Sequence, residues 1–267
     1  MDAEIGIIGG SGFYSLLDDY EDVYVDTPHG KPSDSITLGK ISGRKVAFIP
    51  RHGRGHSIPP QKVPYRANIE ALEKLGAKRI IATAAVGSLK EEYAPGDFVL
   101  FDQFVNMTHG RQDTYFDQNI VAHVSMAEPY CDDMRKSAVA AMNSLGIKHH
   151  SSGSVVVING PRFSSKAESR FFAAQGFDTI NMTQYPEAAL AHEKALCYLG
   201  IGMVTDYDAG LEGRADIKPV TVDEINKVFS ENIGKAKRLV SALVPTLNPE
   251  RNGCACNKTL DGAIITH

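Results

Sequence analysis

The chain has 267 residues, 43% of them hydrophobic, with a net charge of −4. That length and apolar content suit one large globular domain. Near-neutral charge, with no Lys/Arg run longer than a pair, speaks against nucleic acid or anionic lipid as a partner and points to small molecules. No apolar stretch reaches membrane-spanning length, and the start of the sequence lacks a signal-type pattern, so the expectation is a cytoplasmic chain.

In chain order, strand-like runs fall at Ile5–Ile8, Ser35–Ile41, Lys45–Ile49, Arg79–Ala85, Asp97–Val105, Ser154–Ile158 and Ile201–Thr205. Helical spacing alternates with them. Tyr65, Ile69, Leu72 and Leu75 make one apolar stripe before Gly76, and Met134, Ala138, Ala141, Met142 and Leu145 make another before Gly146. Ser165 with Glu168, and Thr221 with Glu224, have capping-box spacing. Pro186 to Leu199 reads as a helix with Pro in its first turn, and Thr221 to Leu243 as a long C-terminal helix. The pattern predicts an α/β domain over residues 1–245 and a loose tail over 246–267.

Six short stretches carry chemistry. "IGIIGGSGFY", Ile5 to Tyr14, leaves a buried strand through Gly9-Gly10-Ser11-Gly12, which reads either as a structural tight turn or as a backbone brought close to an anion. It lacks the third glycine of a dinucleotide fingerprint and the Lys-Ser/Thr of a P-loop. "RHGRGH", Arg51 to His56, places two arginines and two histidines at a strand end, either a solvated basic loop or a pocket able to hold a phosphate dianion. "TAAVGSL", Thr83 to Leu89, offers the Ala84 and Ala85 backbone at another strand end. In "GPRFSS", Phe163 suits stacking on a flat base and Ser164 reading its edge; in "NMTQYPEAALAHE", Met182 lies under a sugar and Thr183 presents a hydroxyl. "VTDYDAG" sets Asp206 and Asp208 two residues apart, on one side of an extended chain. If partly buried, one donates a proton and the other accepts from an amine.

These stretches, in this order, resemble the 5′-methylthioadenosine phosphorylases of the trimeric purine nucleoside phosphorylase superfamily, from Ile5 to about Leu243: "GIIGGSG", "PRHGRGH.IPP..VPYRANI.AL", "AVGSL...Y.PGDFV..DQF", "GPRFSS.AES", "NMT..PEAALA.E" and "TDYD". The resemblance implies a mixed, barrel-like sheet flanked by helices, inorganic phosphate as co-substrate, no metal and no organic cofactor. It assigns phosphate to Ser11, Arg51, His52, the Ala84-Ala85 backbone and Thr183, the ribose to Met182, and adenine to Phe163, Ser164, Asp206 and Asp208. Asp206 is the expected proton donor. Through "AHVSMAEP" it assigns His123 to a neighbouring subunit's pocket, and it places Val222 and Ile225 along the methylthio and base region. A trimer or pair of trimers is implied. The chain departs from relatives at Ala84, where many have a hydroxyl residue, at Asn159, where most have Glu, and at Ala209-Gly210, where the animal enzymes have a bulky pair.

The expected reaction is phosphorolysis of 5′-methylthioadenosine in purine and methionine salvage. The alternatives are a phosphorylase for 6-oxopurine nucleosides or methylthioinosine, which favours Asn at the first aspartate; a phosphate-independent nucleosidase; and a non-catalytic purine binder. Of the four cysteines, Cys131 and Cys197 read as buried thiols, whereas the tail pair Cys254-Ala255-Cys256 has only His267 nearby and alone supplies too few ligands for zinc. Some heat-adapted relatives hold a similar pair in disulfides; here the tail thiols are expected to pair, if at all, with Cys197 or Cys131.

Overall fold

The computed structural model describes residues 3–211, 217 and 221–265, with the backbone alone at Ser11, Tyr14, residues 222–227 and Phe229. In order, the strands are β1 (Ile5–Gly9), β2 (Asp18–Val23), β3 (Ile36–Ile41), β4 (Arg44–Pro50), β5 (Arg79–Ser88), β6 (Phe98–Leu100), β7 (Gln103–Met107), β8 (Val121–Ala122), β9 (His149–His150), β10 (Ser154–Ile158), β11 (Thr179–Asn181), β12 (Cys197–Asp206) and β13 (Ile264–Ile265). The α-helices are α1 (Tyr65–Lys74), α2 (Asp132–Ser144), α3 (Lys166–Ala174), α4 (Gln184–Glu193) and α5 (Val222–Leu243).

Eleven of these strands form one mixed sheet, in the order β2-β3-β4-β1-β5-β11-β10-β7, with β12 branching from β5 and leading to β6 and β9. β1, β4, β5 and β12 run parallel, so they are buried on both faces and read as near-continuous apolar runs. Two packed layers follow. One sheet face, with Ile5, Ile7, Phe48 and Leu199, meets Met134, Ala138 and Met142 of α2 and Leu239 and Val240 of α5. The other, with Ile8, Ile49, Ile80 and Tyr198, meets Ile69 and Leu72 of α1 and Ala188 and Leu190 of α4. α3 closes a smaller cluster through Phe172 against Val156 and Ile180.

The Ser165 capping box forms on both sides, and α1 and α2 stop at Gly76 and Gly146, both at positive φ. Four expectations differ from the structure. The run Asp97–Val105 is broken, because β6 pairs with β12 and β7 turns away to pair with β10. The helix expected to reach Leu199 ends at Glu193; Ala195 takes a positive φ and the chain enters β12. An apolar run buried on all sides has the same composition in a helix and in a central strand. β2 was not expected, since its Asp18–Val23 sequence is acidic and exposed at the sheet edge. Finally, the segment expected to be loose is bound to the domain. The Arg79 Nε donates to the Asn248 carbonyl at 2.8 Å, Arg251 Nη1 to Ala195 at 2.7 Å and Thr259 Oγ1 to His192 at 2.9 Å, while β13 pairs with β8.

Candidate active site

β5 positions the site. β12 follows one of its edges throughout, but the other edge is shared: β1 pairs with it up to Ala82, and β11, running the opposite way, pairs at Gly87 and Ser88. Between them the edge is open from Thr83 to Val86. The Thr83 carbonyl accepts from Arg51 Nη1 across this gap at 2.8 Å, so strand alternation turns the Thr83 and Ala85 backbones to the gap and those of Ala84 and Val86 toward β12.

A cavity of about 370 Å³ occupies the gap, within the range that holds a nucleoside-sized ligand. Its walls come from the ends of β1, β4, β5, β11 and β12. Of the expected residues it brings together Arg51, His52, Ala84, Ala85, Thr183, Met182, Phe163, Asp206 and Asp208. Gly10 and Gly12, on either side of Ser11, line it, whereas the Ser11 side chain lies outside the described residues. So do the side chains of Val222 and Ile225; Ile233, two turns further along α5, lines the cavity. Ser164 stands behind the wall, facing Asp208. His123 is exposed and lies away from this cavity, its backbone N–H donating to Ala263.

The opening turn owes its glycine to contact. A Cβ on Gly9 would stand 2.9 Å from Thr83 Oγ1 and 3.1 Å from Phe13. Thr83 Oγ1 is itself buried without a hydrogen-bond partner among the described residues, a donor or acceptor facing the cavity.

The basic loop does not form an open clamp. Arg51 is 3% exposed, and its Nε and Nη2 donate to the two carboxylate oxygens of Glu187, fully buried in α4, at 2.7 and 2.8 Å. Tyr198 donates to the same carboxylate at 2.8 Å. Burial alone would lower the Arg51 pKa, but the Glu187 charge and hydrogen bonds outweigh it and hold the guanidinium above its ordinary value. With Thr83 served as well, three of its five N–H groups are engaged and two are left for a ligand. Arg54, in contrast, turns away to Asp22 and Asp34.

His52 stacks on His56 with ring centroids 4.5 Å apart, and its Nδ1 lies 2.8 Å from the Ile58 carbonyl. A carbonyl only accepts, so Nδ1 carries the proton and Nε2 is left for the cavity. Burial, with Arg51 adjacent, lowers its pKa to about 4.

At the far end β12 bulges between Val204 and Asp206, and Gly87 makes room: a Cβ there would lie 3.0 Å from Asp206 Oδ1. Asp206 Oδ1 accepts from the Asp208 N–H at 2.7 Å. The Thr205 hydroxyl sits 2.7 Å from Asp206 Oδ2 and 3.3 Å from the Val86 carbonyl. The shorter contact takes the hydroxyl's one hydrogen, so Thr205 donates to Asp206. Burial raises the Asp208 pKa, against the pull of the Ser169 and Ser164 hydroxyls.

Sequence reasoning missed Glu187, Thr83 and Arg111. Arg111 donates to the carbonyls of Met182 at 2.9 Å and Asn159 at 3.0 Å, and to Tyr185, tying the sugar-side loop to the "GPRF" loop. The carboxylate that opens the Ala-rich stretch after Pro186 was the one visible signal for Glu187. The one group of described residues with metal-ligand spacing lies elsewhere: Cys131, Cys197, Cys254 and Cys256, near the start of β12.

Comparison with known proteins gives a consistent picture. The family model of the phosphorylase superfamily matches residues 4–245. The chain is 51% identical to the S-methyl-5'-thioadenosine phosphorylase of Thermofilum pendens over 264 residues, 98% of both chains. It is 46% identical to a purine nucleoside phosphorylase of Streptomyces coelicolor over 271 residues, 97% of this chain and 95% of that one. The solved methylthioadenosine phosphorylase of Schistosoma mansoni in complex with adenine superposes with a TM-score of 0.90 at 35% identity, covering 98% of this chain and 99% of that one.

Proposed function

The chain belongs to the phosphorylase superfamily, and from that we infer that its pocket cleaves 5′-methylthioadenosine with inorganic phosphate, giving adenine and 5-methylthioribose 1-phosphate. The observation that carries this reading is a single cavity with cationic and hydroxyl groups at one end and two carboxyls at the other.

Stretching the glycosidic bond builds positive charge on the sugar and negative charge on the purine, so the transition state needs an anion beneath the ribose and a proton for N7. In our reading the two remaining Arg51 N–H groups, the Thr83 and Thr183 hydroxyls, the Ala85 N–H and Ser11 hold phosphate, and the unprotonated His52 Nε2 accepts from the phosphate's own hydroxyl. Met182 lies against the ribose and Phe163 against the base. Asp206, at the cavity wall beside Gly87, gives a proton to N7. Asp208 accepts from the 6-amino group. The reaction runs on phosphate and side chains and needs no organic cofactor.

Finer points are proposals on the same footing. The enzyme acts in purine and methionine salvage in the cytoplasm, and no helix among the described residues is long and apolar enough to cross a membrane. It assembles as a trimer or hexamer in which His123 of one subunit closes the 5′ end of its neighbour's pocket; His123 is exposed in its own chain. Light scattering tests the assembly.

The decisive assay is adenine release from methylthioadenosine with and without phosphate, run beside adenosine, methylthioinosine and inosine. Phosphate-dependent cleavage that favours the two 6-amino substrates is expected. Phosphate-independent release would make the protein a nucleosidase, and a preference for the 6-oxo pair would move it to the purine nucleoside phosphorylase reading that the Streptomyces relative's name favours.

A further inference from the structure

All four cysteines of the chain meet at one place. Cys131 caps the N-terminus of α2, Cys197 opens β12, and Cys254 and Cys256 come from the tail. Their sulfurs all lie within 4.8 Å of one another, with Cys197 Sγ and Cys254 Sγ 3.4 Å apart, and three of the four residues are buried. The earlier count of too few ligands considered the tail alone; the fold supplies the other two.

We propose that Cys131, Cys197, Cys254 and Cys256 form a structural tetrathiolate site for one zinc ion. A tetrahedral zinc with four sulfurs at about 2.3 Å has sulfur–sulfur edges of about 3.8 Å, close to the spacing already present. Mutual proximity of all four sulfurs is what a central ion requires, whereas two disulfides need only two close pairs. An all-sulfur, closed ligand set selects soft or borderline ions over magnesium and calcium and leaves no position for water.

The tail is held in place by bonds that do not involve sulfur. A Cβ on Gly253 would stand 2.4 Å from Asp133 Oδ1 in the first turn of α2, so the backbone beside Cys254 passes directly over that helix start. Arg251, Asn248 and Thr259 fix the segment on either side. Four thiolates around zinc carry two net negative charges. The N-terminus of α2 beside Cys131 favours negative charge. Arg79, the register partner of Cys197 on β5, is 1% exposed; its Nη1 is ion-paired with Asp133 at 3.0 Å, and its Nη2 has no hydrogen-bond partner among the described residues.

Cys197 and Asp206 are the two ends of β12, about 30 Å apart at strand rise. The ion therefore clamps the tail to the base of the sheet and takes no part in the pocket's chemistry.

The test uses the full chain, purified under anaerobic conditions without reductant or chelator. We expect about one zinc per chain by elemental analysis, four thiols that titrate in denaturant without reduction once chelator is added, and cobalt(II) uptake by the stripped protein with the visible bands of tetrahedral thiolate ligation. Chelator is expected to lower the melting temperature of the parent. A Cys254→Ser, Cys256→Ser variant loses zinc and the chelator effect while keeping its turnover. Four free thiols with only trace zinc and no cobalt bands would overturn the proposal, and so would fewer than four free thiols before reduction, which would mean disulfides. Should the variant fail to fold, zinc content and chelator response of the parent decide alone.

Discussion

Glu187→Gln is the sharpest perturbation of the pocket, because it changes one atom of a buried pair and little of the shape. In the native chain both carboxylate oxygens accept from Arg51, and one also from Tyr198. Whichever way the new amide is turned, its NH₂ faces one Arg51 N–H donor, and the guanidinium is left as an uncompensated buried charge. Breaking a pair of this kind costs roughly 3–5 kcal/mol. At about 2–4 °C per kcal/mol for a chain near this size, the melting temperature should fall by roughly 6–20 °C. The orphaned charge also creates a demand for an anion. Phosphate, binding the folded state only, should therefore raise the variant's melting temperature more than the parent's at the same concentration. Differential scanning fluorimetry across a phosphate series reads both effects, and a cycle with Arg51→Met separates them from simple packing damage. The double variant should be more stable than the sum of the single losses. A loss below about 1 kcal/mol, well under the uncompensated-charge cost, or strictly additive losses in the cycle, would refute the account of Arg51 as a charge held by Glu187 for the anion.

Asp206→Asn should lower methylthioadenosine turnover by roughly 10²–10⁴ while adenine binding suffers much less; turnover near the parent value, with Asp208→Asn the crippled variant, would reverse the two roles. The same variant should gain relative activity on methylthioinosine, since an amide donates to O6 where a carboxylate does not, and an unchanged substrate ratio would contradict the base-reading role. Arg51→Ala should raise the KM for phosphate far more than that for the nucleoside, and initial rates across both concentrations will show whether it does. His52, with its pKa lowered to about 4, stays neutral in the folded chain while the unfolded chain protonates near 6.5. Acid thus favours unfolding, and stability should drop by up to about 3 kcal/mol as pH falls from 6.5 to 4, with no further change from this group below that. His52→Gln should flatten that limb of the pH–stability curve; a parallel curve would assign the loss to other groups.

α1 and α2 were legible because each shows one apolar stripe and a glycine stop, and the starts of α3 and α5 because of capping-box spacing. β1, β4, β10 and the core of β5 were legible as short apolar runs between turn residues. β12 was half hidden, since its first residues continue the composition of α4, and β2 was hidden because an exposed acidic edge strand has no apolar face to reveal it. At the site, residues standing in glycine-rich or strand-end motifs were readable, and the cavity gathers nine of them. The partnership of Arg51 with Glu187 was not readable, because it joins residues 136 positions apart and only the parallel sheet brings them together. The four-sulfur cluster escaped for the same reason: two ligands sit in the core and two in a segment whose polar composition gives no sign of docking.

The divided edge of β5 has a metrical consequence. The groups at the anion end are anchored around Thr83 and those at the base end around Gly87, and both sets are registered on the same strand. Four residues of strand span about 13 Å. β5 therefore works as a ruler: inserting or deleting one residue between Thr83 and Gly87 would displace one end of the pocket from the other by about 3.3 Å and reverse the alternation between them. Side chains around the cavity are free to vary in size and still leave this distance intact, whereas the length of that five-residue stretch is not free to vary at all.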